Sequence, residues 1–193
     1  MYIISQNYFL YLGVLICLCK SRIIFLHIFI KDKIISYDDL KNEFMKFVFN
    51  IYILGVISKV YFPLTIAWGE NIKYMGPVII LNPIKSIIMI FDKGGVDGFV
   101  YNILGNLILL VPMGLFIYYY YRDRINSWKI IMLVSFCISL FIECTQIVLS
   151  LVFPNVCRYF EVNDLLLNTL GGVMGYIISK CFEVIKRYFE CKI

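Results

Sequence analysis

The sequence predicts an all-α fold, a polytopic transmembrane helical bundle of about five spans. Three observations carry that expectation. Of the 193 residues, 61% are hydrophobic and only 16% are charged; mean hydropathy is +0.83; and the apolar residues gather in long runs separated by short polar connections. A soluble domain keeps roughly a quarter of its residues charged, and about 20 apolar residues in a helix cover the ~30 Å hydrocarbon core of a bilayer.

The first apolar run, Tyr8 to Ile30, holds Lys20 and Arg22, whose long stems allow the charges to snorkel to a surface. No positive residue precedes the run and no small-residue cleavage site follows it, so an uncleaved helix is expected rather than a signal peptide. Residues 1–43 are therefore read as an N-terminal membrane helix with its cytoplasmic connection, and 44–193 as the main membrane domain. The second span runs from Phe47 to Trp68, and the third from Phe99 to Tyr121, closed by the interfacial tyrosines 118–121. Lys129 to Leu151 form the fourth. The fifth starts at Asp164 and reaches about Phe182, with Lys180, Lys186 and Arg187 marking its far end. Between the second and third lies Met75 to Phe91, interrupted by Pro77, Asn82, Pro83 and Lys85. It is expected as a surface or re-entrant segment buried in protein, the setting in which unpaired backbone survives at membrane depth.

The net charge of +5 does not indicate nucleic acid, because the basic residues are scattered between spans rather than gathered with stacking aromatics. They set topology instead. One group of connections holds ten basic residues: Lys31, Lys33, Lys41, Lys46, Arg122, Arg124, Lys129, Lys186, Arg187 and Lys192. The opposite group holds four, Lys73, Lys85, Lys93 and Arg158, so the positive-inside rule puts these outside the cytoplasm. The seven cysteines contain no C-x-x-C pair and His27 is solitary in an apolar run, so neither a metal nor a disulfide framework is expected, and no cofactor.

Glu143 lies inside an apolar run, where an ionisable side chain costs about 2.5–3.5 kcal/mol on insertion scales and therefore has a partner or a purpose. Helical rise puts Asn106 about 10 Å, Glu143 about 12 Å, Gln146 about 8 Å and Asn168 about 6 Å below the outer ends of their spans. Arg158 and Glu161 stand at the mouth, and Asp164 shares a helix face with Asn168. These seven residues are the candidate binding pocket, with Arg158 expected to hold Glu143 ionised. Plainer roles stay open: helix packing for Glu143, interhelical glue for the asparagines, and a helix cap for Asp164. Gly171, Gly172 and Gly175 are read as packing residues, while Pro112 and Gly114 are expected to bend the third span.

Taken in order, Leu81-Asn82-Pro83-Ile84, Asn106 with Val111-Pro112-Met113-Gly114, Ile142-Glu143-Cys144-Thr145-Gln146, and Arg158 through Asp164 to Asn168-Thr169-Leu170-Gly171-Gly172 resemble the VanZ-like family. The resemblance covers roughly Phe47 to Phe182, so the last four spans correspond to a four-helix family core. Asn163 stands where relatives commonly carry a carboxylate, and Ile84 where they often carry phenylalanine. The resemblance implies a multi-pass bacterial cell-membrane protein named after a member that confers low-level teicoplanin resistance. It brings no established catalytic mechanism. The expected function is thus glycopeptide resistance or cell-envelope homeostasis through an outward-facing polar pocket, with the lipid bilayer, a glycopeptide antibiotic or a lipid-linked cell-wall precursor as partners. The alternative is an intramembrane enzyme acting on a lipid- or isoprenoid-linked substrate, with Glu143 as general base and Arg158 stabilising negative charge. A transporter ranks behind both, since the inner half offers few polar groups beyond Lys180.

Overall fold

The computed structural model describes residues 2–30, 36–66, 74–125, 127–153 and 155–190, and these are overwhelmingly helical. Lys31, Lys33, Lys73 and Lys192, used above for orientation, and Trp68, the expected end of the second span, lie outside the described residues, as do the side chains of Arg22 and His27. Among the described residues, four helical stretches are long and apolar enough to cross a membrane: Tyr37–Tyr61, Pro83–Tyr121, Trp128–Val152 and Val162–Glu190. The chain divides into two compact units, 1–72 and 73–193.

In the first unit, strand β1 (Tyr2–Ile4) leads into helix α1 (Gln6–Ile30), the first apolar run. Helix α2 (Tyr37–Tyr61) begins ten residues before the expected span, because Ser36 and Asp39 form a capping box: the Asp39 amide donates to Ser36 Oγ (3.2 Å) and the Ser36 amide to Asp39 Oδ2 (3.4 Å). Its polar opening turns carry the helix beyond the apolar stretch. Pro63 disfavours helical backbone at Phe62 and ends α2, after which strand β2 (Leu64–Ile66) pairs antiparallel with β1. Phe9 stacks on Phe62 at 4.5 Å, and Gly13 lets the Leu54 side chain approach α1 closely.

The second unit holds strand β3 (Val78–Ile80), helices α3 (Pro83–Leu109), α4 (Val111–Tyr121) and α5 (Trp128–Val152), strand β4 (Tyr159–Glu161) and helix α6 (Val162–Glu190). Here the expectation for Met75 to Phe91 needs correction. From Pro83 onward the segment is helix, capped by Asn82, whose Oδ1 accepts from the amides of Ile84 and Lys85 at 3.0 and 3.2 Å. Most of the segment is exposed, in keeping with the surface alternative, while Gly76, Ile80 and Ser86 are buried. The 39 residues from Pro83 to Tyr121 would measure about 58 Å as one straight helix, far more than a bilayer core. They are interrupted twice. Gly95 (φ 59°, ψ −155°) breaks α3, and Leu110 separates α3 from α4 just ahead of Pro112, which has no amide proton to continue the ladder. The length that suits a crossing is therefore 96–121.

Only glycine adopts the Gly95 backbone conformation at low cost. Gly95→Ala is expected to destabilise the protein by about 1–3 kcal/mol even though a Cβ there would meet nothing within 4 Å. The neighbouring Gly94→Ala, equally open and without a positive φ, is expected to be neutral or slightly stabilising. Thermal unfolding of the two variants in detergent checks the difference in sign.

Helix α6 packs against α3, α4 and α5 and is the central post of the unit. Its buried stripe is Leu165, Asn168, Thr169, Gly171, Gly172, Gly175 and Tyr176, and that of α5 is Ile131, Ser135, Ser139, Ile142, Glu143 and Ser150. Both follow helical spacing. The opposite faces expose Leu133, Phe141, Val148, Leu166 and Leu170, a surface suited to lipid rather than to water.

Candidate functional site

Strand β4 is short, but three devices hold it at one end of the helices. It pairs in parallel with β3 in the register Val78↔Tyr159 and Ile80↔Glu161, the Val78 amide donates to the Arg158 carbonyl (3.0 Å), and the Arg158 amide donates to Ser150 Oγ at the end of α5 (2.8 Å). The pairing satisfies backbone groups next to the membrane that would otherwise be costly to bury. It also fixes the positions of Arg158 and Glu161 on either side of the strand's short length.

Glu161 turns inward. Its carboxylate accepts from the Ser86 hydroxyl of α3, and its amide donates to Glu143 Oε2 at 3.2 Å. Glu143 is only 2% exposed, and among the described residues the hydrogen bond it receives comes from this amide rather than from the guanidinium expected to hold it. Glu161 and Asp164 both lie within electrostatic reach of Glu143, so three carboxyl groups from α5, β4 and α6 gather in one place. Asp164, in the first turn of α6, accepts from Asn106 Nδ2 of α3, which ties two helices together beside the cluster.

One turn further along α6, Asn168 is 1% exposed; its Nδ2 donates to Ser139 Oγ (3.0 Å), whereas its Oδ1 has no partner among the described residues. The Oγ of Ser135, one turn from Ser139 on α5, is likewise buried with no partner among the described residues. The structure thus joins Asn106, Glu143, Glu161 and Asp164 around one acidic cluster and sets Asn168 below it. Gln146 and Arg158 are half-buried. Burial lowers the Arg158 guanidinium from its ordinary pKa, a sign of a cation partly withdrawn from water, where its attraction for an anion is stronger.

Sequence reasoning did not find Ser86, Ser139, Lys93, Tyr159 or the role of Asn163. Lys93 Nζ lies 3.3 Å from the Tyr159 hydroxyl and 4.9 Å from the centre of its ring, adding a second cation near the mouth. Asn163 Nδ2 donates to the Pro83 carbonyl at 2.9 Å. An ionised carboxylate has no proton to give there, so this contact needs the amide. Ser135 and Ser139 did leave a signal, since with Glu143 they recur at every fourth residue of one helix face. Among the described residues, no three His, Cys, Asp or Glu side chains form a group able to hold a metal ion.

Residues 49–183 match the VanZ/LLP1 family, 135 of the 193 residues, covering all the elements that build this cluster. The chain belongs to the VanZ/LLP1 family. No curated protein and no solved structure matches it. The VanZ/LLP1 match takes in both strands of the β3–β4 pair, the Gly95 break and the buried stripe of α6, and stops within the last turns of that helix. It identifies a membrane protein of apolar helices, in keeping with the four candidate spans.

Proposed function

We propose that this VanZ/LLP1 protein acts at the cell envelope, in glycopeptide (teicoplanin) resistance or envelope homeostasis, by engaging a ligand at the extracytoplasmic end of its helices. The observation that carries the reading is the acidic cluster of buried Glu143 and Glu161 with half-buried Asp164, and Arg158 lies three residues before Glu161 in the chain. An ionisable residue kept inside a spanning helix is retained for a task more often than for stability. The candidate ligands, a glycopeptide headgroup or a lipid-linked wall precursor, offer sugar hydroxyls and peptide amides as donors to carboxyl groups. A guanidinium suits the carboxylate or phosphate that such molecules also carry. Gln146 and Asn168 belong to the proposed pocket as neutral partners.

The test is expression in a susceptible host with parallel teicoplanin and vancomycin titrations. The parent protein is expected to raise teicoplanin tolerance, and Arg158→Lys, which keeps the charge but loses the planar fork, to give back most of the gain. Equal tolerance with and without the parent protein sinks the resistance assignment.

Sidedness has its own check. In a cysteine-free background, a cysteine replacing exposed Met75 is expected to react with a membrane-impermeant maleimide on intact cells. One replacing Asp123, whose side chain is 94% exposed, is expected to react only after permeabilisation. The reverse pattern would put the acidic cluster on the cytoplasmic side. The enzyme reading keeps Glu143 as a general base; it requires turnover by purified protein on a lipid-linked substrate and its disappearance in Glu143→Gln.

A further inference from the structure

At the other end of α6, a cavity of about 410 Å³ is lined by Tyr118, Arg122, Asp123, Lys180, Glu183 and Arg187, with Val184 as its apolar wall. It shares no residue with the acidic cluster: Lys180 stands 16 residues beyond Asp164, about 24 Å along the helix. Its walls are the end of α4, where Tyr118 and Arg122 share a face, and one face of α6, where Lys180, Glu183, Val184 and Arg187 recur at helical spacing.

Three cations face two acids here, and the acids do not neutralise them equally. Glu183 is engaged by the Tyr118 hydroxyl at Oε2 and by Arg187 Nη2 at Oε1. Asp123 points to water, its Oδ1 3.8 Å from Arg122 Nε. The Lys180 ammonium has no acid partner among the described residues; it lies 5.1 Å from the centre of the Tyr176 ring. Lys180 is also seven residues nearer the middle of the span than Arg187, about 10 Å deeper. At the end of the span its apolar stem lies along the helix while the ammonium reaches the membrane boundary where the cavity opens. Positive charge alone at a membrane boundary would reflect topology; a cavity with its charges ranged along a membrane-normal wall, beside the interfacial tyrosines, has the size and placement of a ligand site.

We propose that this cavity binds the headgroup of an anionic phospholipid from the adjoining leaflet, its phosphodiester held by Lys180, Arg187 and Arg122. The Val184 wall and the gap between α4 and α6 receive the glycerol and the start of the acyl chains. Glu183, clamped by Tyr118, keeps Arg187 oriented across the opening.

The experiment uses the full chain purified in a neutral maltoside detergent, with phosphatidylglycerol retention read by native mass spectrometry and by the shift in melting temperature on lipid titration. The parent is expected to retain phosphatidylglycerol over phosphatidylcholine of the same chains. Lys180→Gln and Arg187→Gln are each expected to weaken retention at least about fivefold, while Lys180→Arg preserves it. Lys129→Gln, which removes a cation near the same membrane face but outside the cavity, is expected to bind like the parent. Parent-like retention in Lys180→Gln overturns the proposal, as does an equal loss in Lys129→Gln, which would mean diffuse surface charge. Displacement of the lipid by glycerol 3-phosphate at matching concentration would also overturn it, reassigning the cavity to a soluble phosphate.

Discussion

Gly171→Ala is expected to be the most damaging single-methyl change in the protein. A Cβ at that position would sit 1.9 Å from the carbonyl oxygen of Leu107, and the same is true at Gly175 against Val111 O (2.0 Å) and at Gly114 against Gly172 O (2.0 Å). The obstructing atoms are backbone, so no rotamer change relieves the overlap. The helices must move apart by more than an ångström along the whole contact. Overpacking a tight core costs about 1–3 kcal/mol and sometimes more, and in lipid no hydrophobic drive presses the helices back together. We expect Gly171→Ala to lower the melting temperature in detergent sharply and to cut the yield of folded protein, with Gly171→Ala/Gly175→Ala doing more than either alone. Gly55→Ala is the built-in contrast: it lies inside α2 with nothing within 4 Å of the added methyl, and alanine is the better helix former by about 1 kcal/mol. Loss of stability in Gly55→Ala equal to that in Gly171→Ala would show that the close approach is not what matters.

Glu143 supports the second large expectation. In Glu143→Ala the amide of Glu161 loses its acceptor in a buried setting, at a cost of about 1–3 kcal/mol, and a side-chain-sized void adds to it. In Glu143→Gln the amide oxygen still accepts from Glu161, shape is kept, and only the acid is removed. The alanine variant is therefore expected to be destabilised and the glutamine variant to insert and melt nearly as the parent does. If the cluster serves a ligand, teicoplanin tolerance nonetheless falls to background in Glu143→Gln. A glutamine variant with parental tolerance would return Glu143 to a helix-packing role. The two variants thus separate a structural task from a functional one at the same position.

The membrane class, the last two spans and the closing tyrosines were legible because they rest on long runs, the strongest signal a sequence carries. Membership of the family was legible through the order of its motifs. The β3–β4 pair was not. Three-residue strands such as Val78–Ile80 and Tyr159–Glu161 are too short to show alternation, and a parallel pairing across some 80 residues leaves no local trace. Reading Pro83 as a breaker rather than as the first residue of a helix capped by Asn82 hid the first half of α3. Of the candidate residues, acids and asparagines stood out against an apolar background. Ser86 did not, because a lone serine in a helix is unremarkable until Glu161 is seen to need its proton. The amide donor to Glu143 escaped for a different reason: a backbone group has no letter in the sequence, and a side-chain cation was the natural guess.

The glycine seam of α6 has one further effect. Ion pairs such as Lys46 with Glu43 and Lys186 with Glu190 sit on exposed rims, where counterions weaken them. The glycine contacts of α6 with α3 and α4 carry no charge and depend on the absence of a methyl group, and they stand beside the Asn106–Asp164 and Tyr118–Glu183 hydrogen bonds that join the same helices. High ionic strength should therefore loosen the periphery long before it reaches the glycine seam, leaving the scaffold intact in brine that would strip its surface.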